Sequence, residues 1–140
     1  MSTIFSLLFL PVAPLWLAMM LAPRAKLTRR LLASPWCVVP VALVYAALVL
    51  PELATILPPL LRPELPQIAA LLGSERGATI AWAHFLAFDA FVARWIHSDA
   101  LARGVPALVL APILFCVLML GPLGLTVYLL VRPRALLAPS

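Results

Sequence analysis

Apolar residues run along this chain in four long stretches, and short polar connections separate them. The hydrocarbon core of a bilayer is about 30 Å thick, and about 20 helical residues are needed to cross it. Each stretch comes close to that length or exceeds it. The pattern therefore predicts an all-α fold, a four-helix transmembrane bundle with proline-kinked helices at about 4–22, 36–57, 78–96 and 105–131.

The composition supports this interpretation. The chain has 140 residues, of which 65% are hydrophobic and only 11% are charged, whereas about a quarter of the residues of an average soluble protein are charged. Four helices leave no room for a separate soluble domain, so residues 1–140 are expected to form one membrane domain.

The positive charge lies mostly at the predicted helix ends. A formal charge of +5 could indicate a nucleic-acid partner, but such a partner needs the cations gathered on a water-facing surface. The connections hold these charges: Arg24, Lys26, Arg29 and Arg30 in the first, Arg62 and Arg76 with Glu64 and Glu75 in the second, and Arg103 in the third. We therefore expect no nucleic-acid partner.

The same charges predict an orientation. Cytoplasmic loops carry an excess of Lys and Arg, so loops one and three are expected in the cytoplasm and both termini outside, although Arg132 and Arg134 oppose this. No cation precedes the first apolar stretch, as a cleaved signal would require. The predicted location is a multi-pass integral membrane protein whose first helix is retained.

Proline separates the predicted helices into two kinds. Pro11 and Pro14 lie in the first, Pro40 in the second, and Pro112 and Pro122 in the fourth, and each removes a backbone donor. The third helix contains no proline. Between helices two and three the chain is too rich in proline for a regular helix past Glu52, but 64–72 could form a short amphipathic helix at the interface.

The third predicted helix carries the only ionisable groups deep inside an apolar stretch. These are His84, Asp89 and Arg94. At about 1.5 Å per residue, Asp89 lies about 16 Å from one end of the helix and about 10 Å from the other. A charge at that depth costs at least about 2.5 kcal/mol. Asp89 must therefore be protonated, paired or beside internal water, whereas Arg94 can reach the interface.

Two stripes follow from a rotation of about 100° per residue. The aromatic stripe has His84 at its centre and contains Phe85, Phe88, Phe91, Val92 and Trp95. The other stripe is small, with Ala83, Ala87 and Ala90, and would let a second helix approach closely. Trp82 shares the sector of Asp89. The aromatic stripe either lines an apolar ligand or faces lipid.

Three functions fit the polar triplet. In the structural one, Asp89 and Arg94 pair with each other or with hydroxyl groups, the candidates being Tyr45, Tyr128 and Thr126. In the catalytic one, Asp89 accepts a proton and His84 donates one on the two flanks of an apolar ligand. In the third, Asp89 is the proton relay of a small transporter, although no inverted repeat supports this.

Several chemistries are excluded by what the sequence lacks. With two histidines in all, the chain lacks the many histidines that a membrane di-iron oxygenase needs, and it contains no HExxH, GxGxxG, P-loop or GxSxG motif. Cys37 and Cys116 lack any metal-ligand spacing and are expected to be small buried hydrophobes. We therefore expect no metal and no cofactor.

The polar block resembles a known family. The stretch AWAHFLAFDAFVARWIHSDA, followed by Gly104, Pro106 and GPLGLTVYLLVRP, is similar to the ABA DEFICIENT 4-like family, whose core we write as WxHxLAFDLFVGRWI with a later GPxGLLxYLLxR. The first connection, APRAKLTRRLLASP, is also similar. Ala90 stands where the family has a larger aliphatic residue, and Ala93 where it has glycine.

The resemblance implies a four-helix integral membrane protein. Plant members are required to make neoxanthin, an allenic xanthophyll, from the epoxide violaxanthin. The absence of a transit peptide before the first helix predicts a bacterial member in an inner membrane.

Converting an epoxide to an allene needs a base and an acid but no redox change. The resemblance would make Asp89 the base and His84 the acid or its orienter, with Trp82, Phe85, Phe88, Phe91 and Trp95 lining a polyene and Arg94 as a charge partner. The alternative is a non-catalytic membrane scaffold that binds a pigment, a lipid or a partner helix. Expected partners are membrane lipids and a carotenoid or other isoprenoid; a homo-oligomer is left open.

Overall fold

The computed structural model describes residues 1–132, and within them every regular element is helical. The all-α class predicted from the sequence is confirmed. The nine α-helices of this range are α1 Ser2–Leu7, α2 Ala13–Leu21, α3 Lys26–Ala33, α4 Val39–Val49, α5 Leu53–Leu61, α6 Leu65–Gly73, α7 Glu75–Ala102, α8 Ala107–Leu120 and α9 Pro122–Val131. Two 3-10 turns, Pro35–Val38 and Leu50–Glu52, lead into α4 and α5.

The longest helix, α7, lies at the centre of the molecule. Its N-terminus is capped by Ser74, whose Oγ accepts a hydrogen bond of 3.0 Å from the Gly77 N–H. Helices α1, α2, α4, α6, α8 and α9 all contact it. The alanine stripe forms the buried side, which holds Ala83, Ala87, Ala90, Ala93 and Ala100. Small side chains here let neighbouring helices pack closely.

The predicted 78–96 helix was too short, because α7 runs from Glu75 to Ala102. The apolar stretch marks where hydrocarbon would be, whereas the ends of the helix depend on caps. Ser74 supplies one cap, and at the other end the Arg103 and Gly104 amides donate to the carbonyls of Asp99 and Leu101.

The second apolar stretch forms one continuous helical segment, Pro35–Leu61, of 27 residues. It is the only helical segment in residues 1–132 long and apolar enough to cross a membrane, so four spans stay a prediction. The expectation that proline ends this helix near Glu52 was wrong. Pro58 and Pro59 lie inside α5, and the Arg62 amide closes the last turn of this helix on the Pro58 carbonyl.

The first predicted helix, 4–22, is divided into α1 and α2. Pro11 and Pro14 have no N–H to donate to the preceding turn. The intervening residues form turns instead, in which the Leu10 amide donates to Leu7 and the Val12 amide to Phe9.

The fourth predicted helix, 105–131, is a hairpin rather than one span. Gly121, between α8 and α9, has a φ of +27° and lies beside Asp89, whereas Tyr128 in α9 contacts Asp99, ten residues farther along α7. Helix α9 therefore runs back towards the C-terminal end of α7. At the crossing, a Cβ on Gly124 would be 2.3 Å from the Val117 nitrogen, so only glycine fits there.

The hairpin brings Arg132 to the end of the molecule that also holds Arg24. Arg24, next to α3, donates to the Val105 carbonyl at the start of the α8 segment, and Arg132, after α9, reaches Asp99. Arg132 therefore lies at the end that carries the first and third connections. Arg134 is outside the described residues.

Candidate functional site

Asp89 lies in the middle of α7 and is half-buried. Its carboxylate borders a cavity of about 210 Å³ between α7 and the end of α8, lined also by Trp82, Phe85 and Met119. Among residues 1–132, no side chain forms a hydrogen bond or an ion pair with it. A carboxylate without a partner beside a cavity is free to exchange a proton with whatever occupies that cavity.

The hairpin turn holds this carboxylate closely. A Cβ added to Gly121 would be only 2.6 Å from Oδ1 of Asp89, and Pro122 begins α9 at the same point. The turn therefore places the backbone of the α8–α9 connection in close contact with the carboxyl group of Asp89.

His84 lies in a different environment on α7. Its ring stacks on Phe88 at a centroid distance of 4.6 Å, and the Tyr45 ring meets it edge-on at 5.4 Å. The imidazole borders an apolar cavity of about 330 Å³ that α4, α5 and α6 enclose, with Ile56 and Ile68 among its lining residues. Tyr45 thus packs against the histidine, not against Asp89.

The two candidate catalytic groups open onto separate cavities. Phe85 lines both of them and lies between Asp89 and His84 along the helix. Its ring is half-exposed. A ligand would meet the carboxylate and the imidazole together only after displacing this ring.

The aromatic side chains of α7 lie in several different environments. Trp82 and Phe85 line the cavities, whereas Phe88 and Phe91 lie on the outer face, with 59% and 50% of their surfaces exposed. Trp95 packs edge-on against Tyr128 at 5.9 Å, with the Arg132 guanidinium 5.9 Å from its ring. The outward position of Phe88 and Phe91 is the one expected for lipid-facing residues.

Arg94 binds backbone carbonyl groups. Its Nε donates to the Leu32 carbonyl at 2.9 Å and its Nη2 to the Ala33 carbonyl at 3.1 Å. Both carbonyls belong to the last turn of α3, where no helical donor remains for them. The side chain therefore fastens α3 to α7 and does not pair with Asp89.

A cluster of charged and polar side chains that the sequence interpretation missed lies at the C-terminal end of α7. Asp99 Oδ2 accepts hydrogen bonds from Arg103 Nε at 2.8 Å and from the buried Tyr128 hydroxyl, and Arg132 Nη1 is 3.5 Å away. The i,i+4 spacing of Asp99 and Arg103 was the signal available. The hydrogen bond from Tyr128 depends on the hairpin and could not be predicted from local spacing. Thr126, the other candidate hydroxyl group of α9, donates to the Pro122 carbonyl within that helix.

The cluster determines the ionisation of Asp99, which lies beyond the predicted 78–96 span. Burial raises the pKa of this carboxyl, but the hydrogen bonds from Arg103 and Tyr128 and the charges of Arg103 and Arg132 outweigh that effect. Its pKa is therefore below the ordinary value, and the carboxylate is ionised at neutral pH.

Comparison with protein families matches residues 3–128 to the ABA DEFICIENT 4-like family. The chain belongs to that family. The resemblance inferred from the polar block is thereby confirmed, and it extends over α1 to α9.

Among curated proteins, the chain is similar to Protein ABA DEFICIENT 4, chloroplastic, of Arabidopsis thaliana. The two are 30% identical over 110 residues, which cover 74% of this chain and 50% of the plant protein. The chain thus spans about half the length of this ABA DEFICIENT 4 relative. No solved structure matches it.

Proposed function

We propose that the protein is a multi-pass membrane protein that acts on a carotenoid or a related isoprenoid. Membership of the ABA DEFICIENT 4-like family supports a carotenoid-related role. The apolar composition and the 27-residue Pro35–Leu61 segment support a location in a membrane.

The hairpin changes the proposed topology. At about 1.5 Å per residue, the 14 residues of α8 reach only about 20 Å, too short for the hydrocarbon core. Helices α8 and α9 then form a re-entrant hairpin that enters and leaves on one side, with its tip at Gly121. Arg132 would lie on the cytoplasmic side with loops one and three, which removes its conflict with the positive-inside rule.

The proposed reaction is an isomerisation of an epoxide end group to an allene. Asp89 removes a proton from the carbon next to the ring as the epoxide C–O bond opens, and His84 protonates the departing oxygen. A new C=C bond forms, one proton leaves and one is gained, so no oxidant, reductant or cofactor is consumed. The observation that carries this proposal is the half-buried Asp89 carboxylate, which has no partner in residues 1–132 and borders a cavity.

In this proposal the substrate binds where the Phe85 ring now separates the two cavities. An end group that pushes the Phe85 ring aside would join the two cavities and meet Asp89 on one flank and His84 on the other. The polyene would then continue along Phe88 and Phe91 at the lipid-facing surface, where its apolar chain is already soluble.

The experiment is pigment analysis of a host that makes violaxanthin and other cyclic xanthophylls, with and without this chain. Chromatography and mass spectrometry should detect a new carotenoid isomeric with its precursor only in cells that carry the protein. An unchanged pigment profile, despite membrane insertion verified by fractionation, would contradict the isomerase proposal.

The exposed aromatic surface favours one second candidate, a non-catalytic membrane scaffold for a pigment or lipid. Phe88 and Phe91 lie on an open face, which suits binding along the surface better than enclosure. This candidate predicts that a xanthophyll copurifies with the protein and is recovered chemically unchanged.

A further inference from the structure

A basic cleft lies between α3 and the C-terminal part of α7, away from Asp89 and His84. Its volume is about 480 Å³. Arg24 and Arg29 supply its charge, Ser98 adds a hydroxyl group, and Leu32 and Leu101 form an apolar wall. Cations above an apolar wall are the features that bind the phosphate of an amphipathic molecule.

The charge of this cleft is not compensated nearby. Residues 1–51 contain no Asp or Glu. The nearest carboxylate along α7, Asp99, is engaged by Arg103, Tyr128 and Arg132. The positive potential is therefore available to an anion from outside.

Backbone carbonyl groups at helix ends would repel an anion, but those beside the cleft are already engaged. The buried His97 donates from Nε2 to the Pro23 carbonyl at 2.8 Å, and Thr28 donates to the Ala22 carbonyl at 2.8 Å. The Leu32 and Ala33 carbonyls accept from Arg94. Their lone pairs are directed to protein donors instead of to the cleft.

Two guanidinium groups keep donors available. Arg24 uses Nη2 for one contact of 3.3 Å with the Val105 carbonyl. Arg29 is exposed, and its side chain forms no hydrogen bond or ion pair with the residues described. A guanidinium can bind a phosphate through two parallel hydrogen bonds.

We propose that this cleft binds a phosphate group, with Arg29 and Arg24 as its ligands and Ser98 as a further donor. The apolar wall and the position among the cations at one end of the molecule favour the headgroup of an anionic phospholipid. Such a lipid would hold α3 against α7 at the membrane surface. The inference is independent of the chemistry at Asp89.

The test uses the purified full chain in a neutral detergent and three probes. They are dioctanoylphosphatidylglycerol, dioctanoylphosphatidylcholine and inorganic phosphate, with affinities measured by titration calorimetry and native mass spectrometry. We expect the anionic lipid to bind roughly tenfold or more tightly than the zwitterionic one, because only the former has uncompensated phosphate charge. Competition by inorganic phosphate would support the same site with a soluble phosphate as its occupant, and lack of competition would support the lipid.

The decisive variant is Arg29→Gln, since that side chain forms no hydrogen bond or ion pair within residues 1–132 whose loss would destabilise the protein. It should weaken binding of the anionic lipid roughly tenfold and leave the zwitterionic lipid unaffected. Arg62→Gln is the matched control, because it removes the same charge beside α5, far from the cleft. Equal binding of both lipids to the wild type, or equal losses in the two variants, would overturn the proposal.

Discussion

The carboxylate of Asp89 lies directly against the backbone of Gly121, at the point where α8 turns into α9. Oδ1 leaves room for no side chain there, since a Cβ would come within 2.6 Å of it. Asp89, the most costly residue of α7 to place in an apolar environment, thus contacts the tip of the hairpin. This contact, rather than a salt bridge, fixes the surroundings of Asp89.

Replacing Gly121 with alanine should therefore cost more than conformational strain. We expect Gly121→Ala to lose at least about 2 kcal/mol of stability, from the positive φ and the collision with Asp89. Gly104→Ala is the matched control. Gly104 has a φ of +69° and nothing within 4 Å of a Cβ, so it should lose only about 1 kcal/mol. Thermal unfolding in detergent measures the stability loss of each variant. Equal losses would mean that the collision with Asp89 adds nothing to the cost of the Gly121→Ala substitution.

The hairpin makes a topological prediction. In a variant with Cys37 and Cys116 replaced by serine, single cysteines at Ala102 and Arg132 should react with a membrane-impermeant maleimide from one side of vesicles. A cysteine at Gly73, beside the start of α7, should react from the other side. Labelling of positions 73 and 132 from the same side would contradict the hairpin and support a single membrane span through 105–131.

The role of Arg94 can be separated from the chemistry. Arg94→Gln should lower stability by about 2 kcal/mol, because two charge-assisted hydrogen bonds to α3 are lost. The product pattern should not change. Arg30→Gln removes the same charge from α3 and should stay within about 0.5 kcal/mol. A stable Arg94→Gln protein without product would instead assign Arg94 to the reaction.

The lowered pKa of Asp99 determines how we expect stability to depend on pH. Its pKa is lowered in the folded protein, so its stabilising contribution is fully present above the unfolded value of about 3.9 and is lost as the pH falls through the folded value. Unfolding midpoints between pH 7 and pH 3 should fall more steeply for the wild type than for Asp99→Asn, which starts lower by about 1–3 kcal/mol. If the unfolding midpoints of the two proteins fall in parallel with pH, the ionised Asp99 does not stabilise the fold through this cluster.

Apolar length was enough to predict the all-α class of the fold, and the residues of the polar block were enough to identify the family by resemblance. The hairpin could not be predicted in this way, because a long apolar stretch has the same hydropathy pattern whether it forms one helix or two helices that run in opposite directions. The reversal depends on the backbone freedom of Gly121 and on the space beside Val117 that Gly124 leaves. Glycines within an apolar stretch gave no sign of this in the hydropathy pattern.

The candidate site was predicted in part. Helical arithmetic correctly placed the alanine stripe inside and Trp82 beside Asp89. It could not show which residues from other helices meet α7, so it missed Tyr45 against His84 and the binding of Arg94 to α3. Such contacts depend on tertiary packing, which a single helix does not encode.

The central claim is that Asp89 acts on a substrate and does not hold the bundle together. The most direct measurement compares the pigments made by the wild type, Asp89→Asn and His84→Phe in a violaxanthin-producing host, alongside the unfolding midpoint of each purified protein. Asp89→Asn should keep the wild-type midpoint, because no partner in residues 1–132 is lost, and His84→Phe should keep the stack on Phe88. Both should lower the yield of the isomeric product by about a hundredfold or more. Full product from Asp89→Asn, or a product loss that only follows a lowered midpoint, would contradict this account.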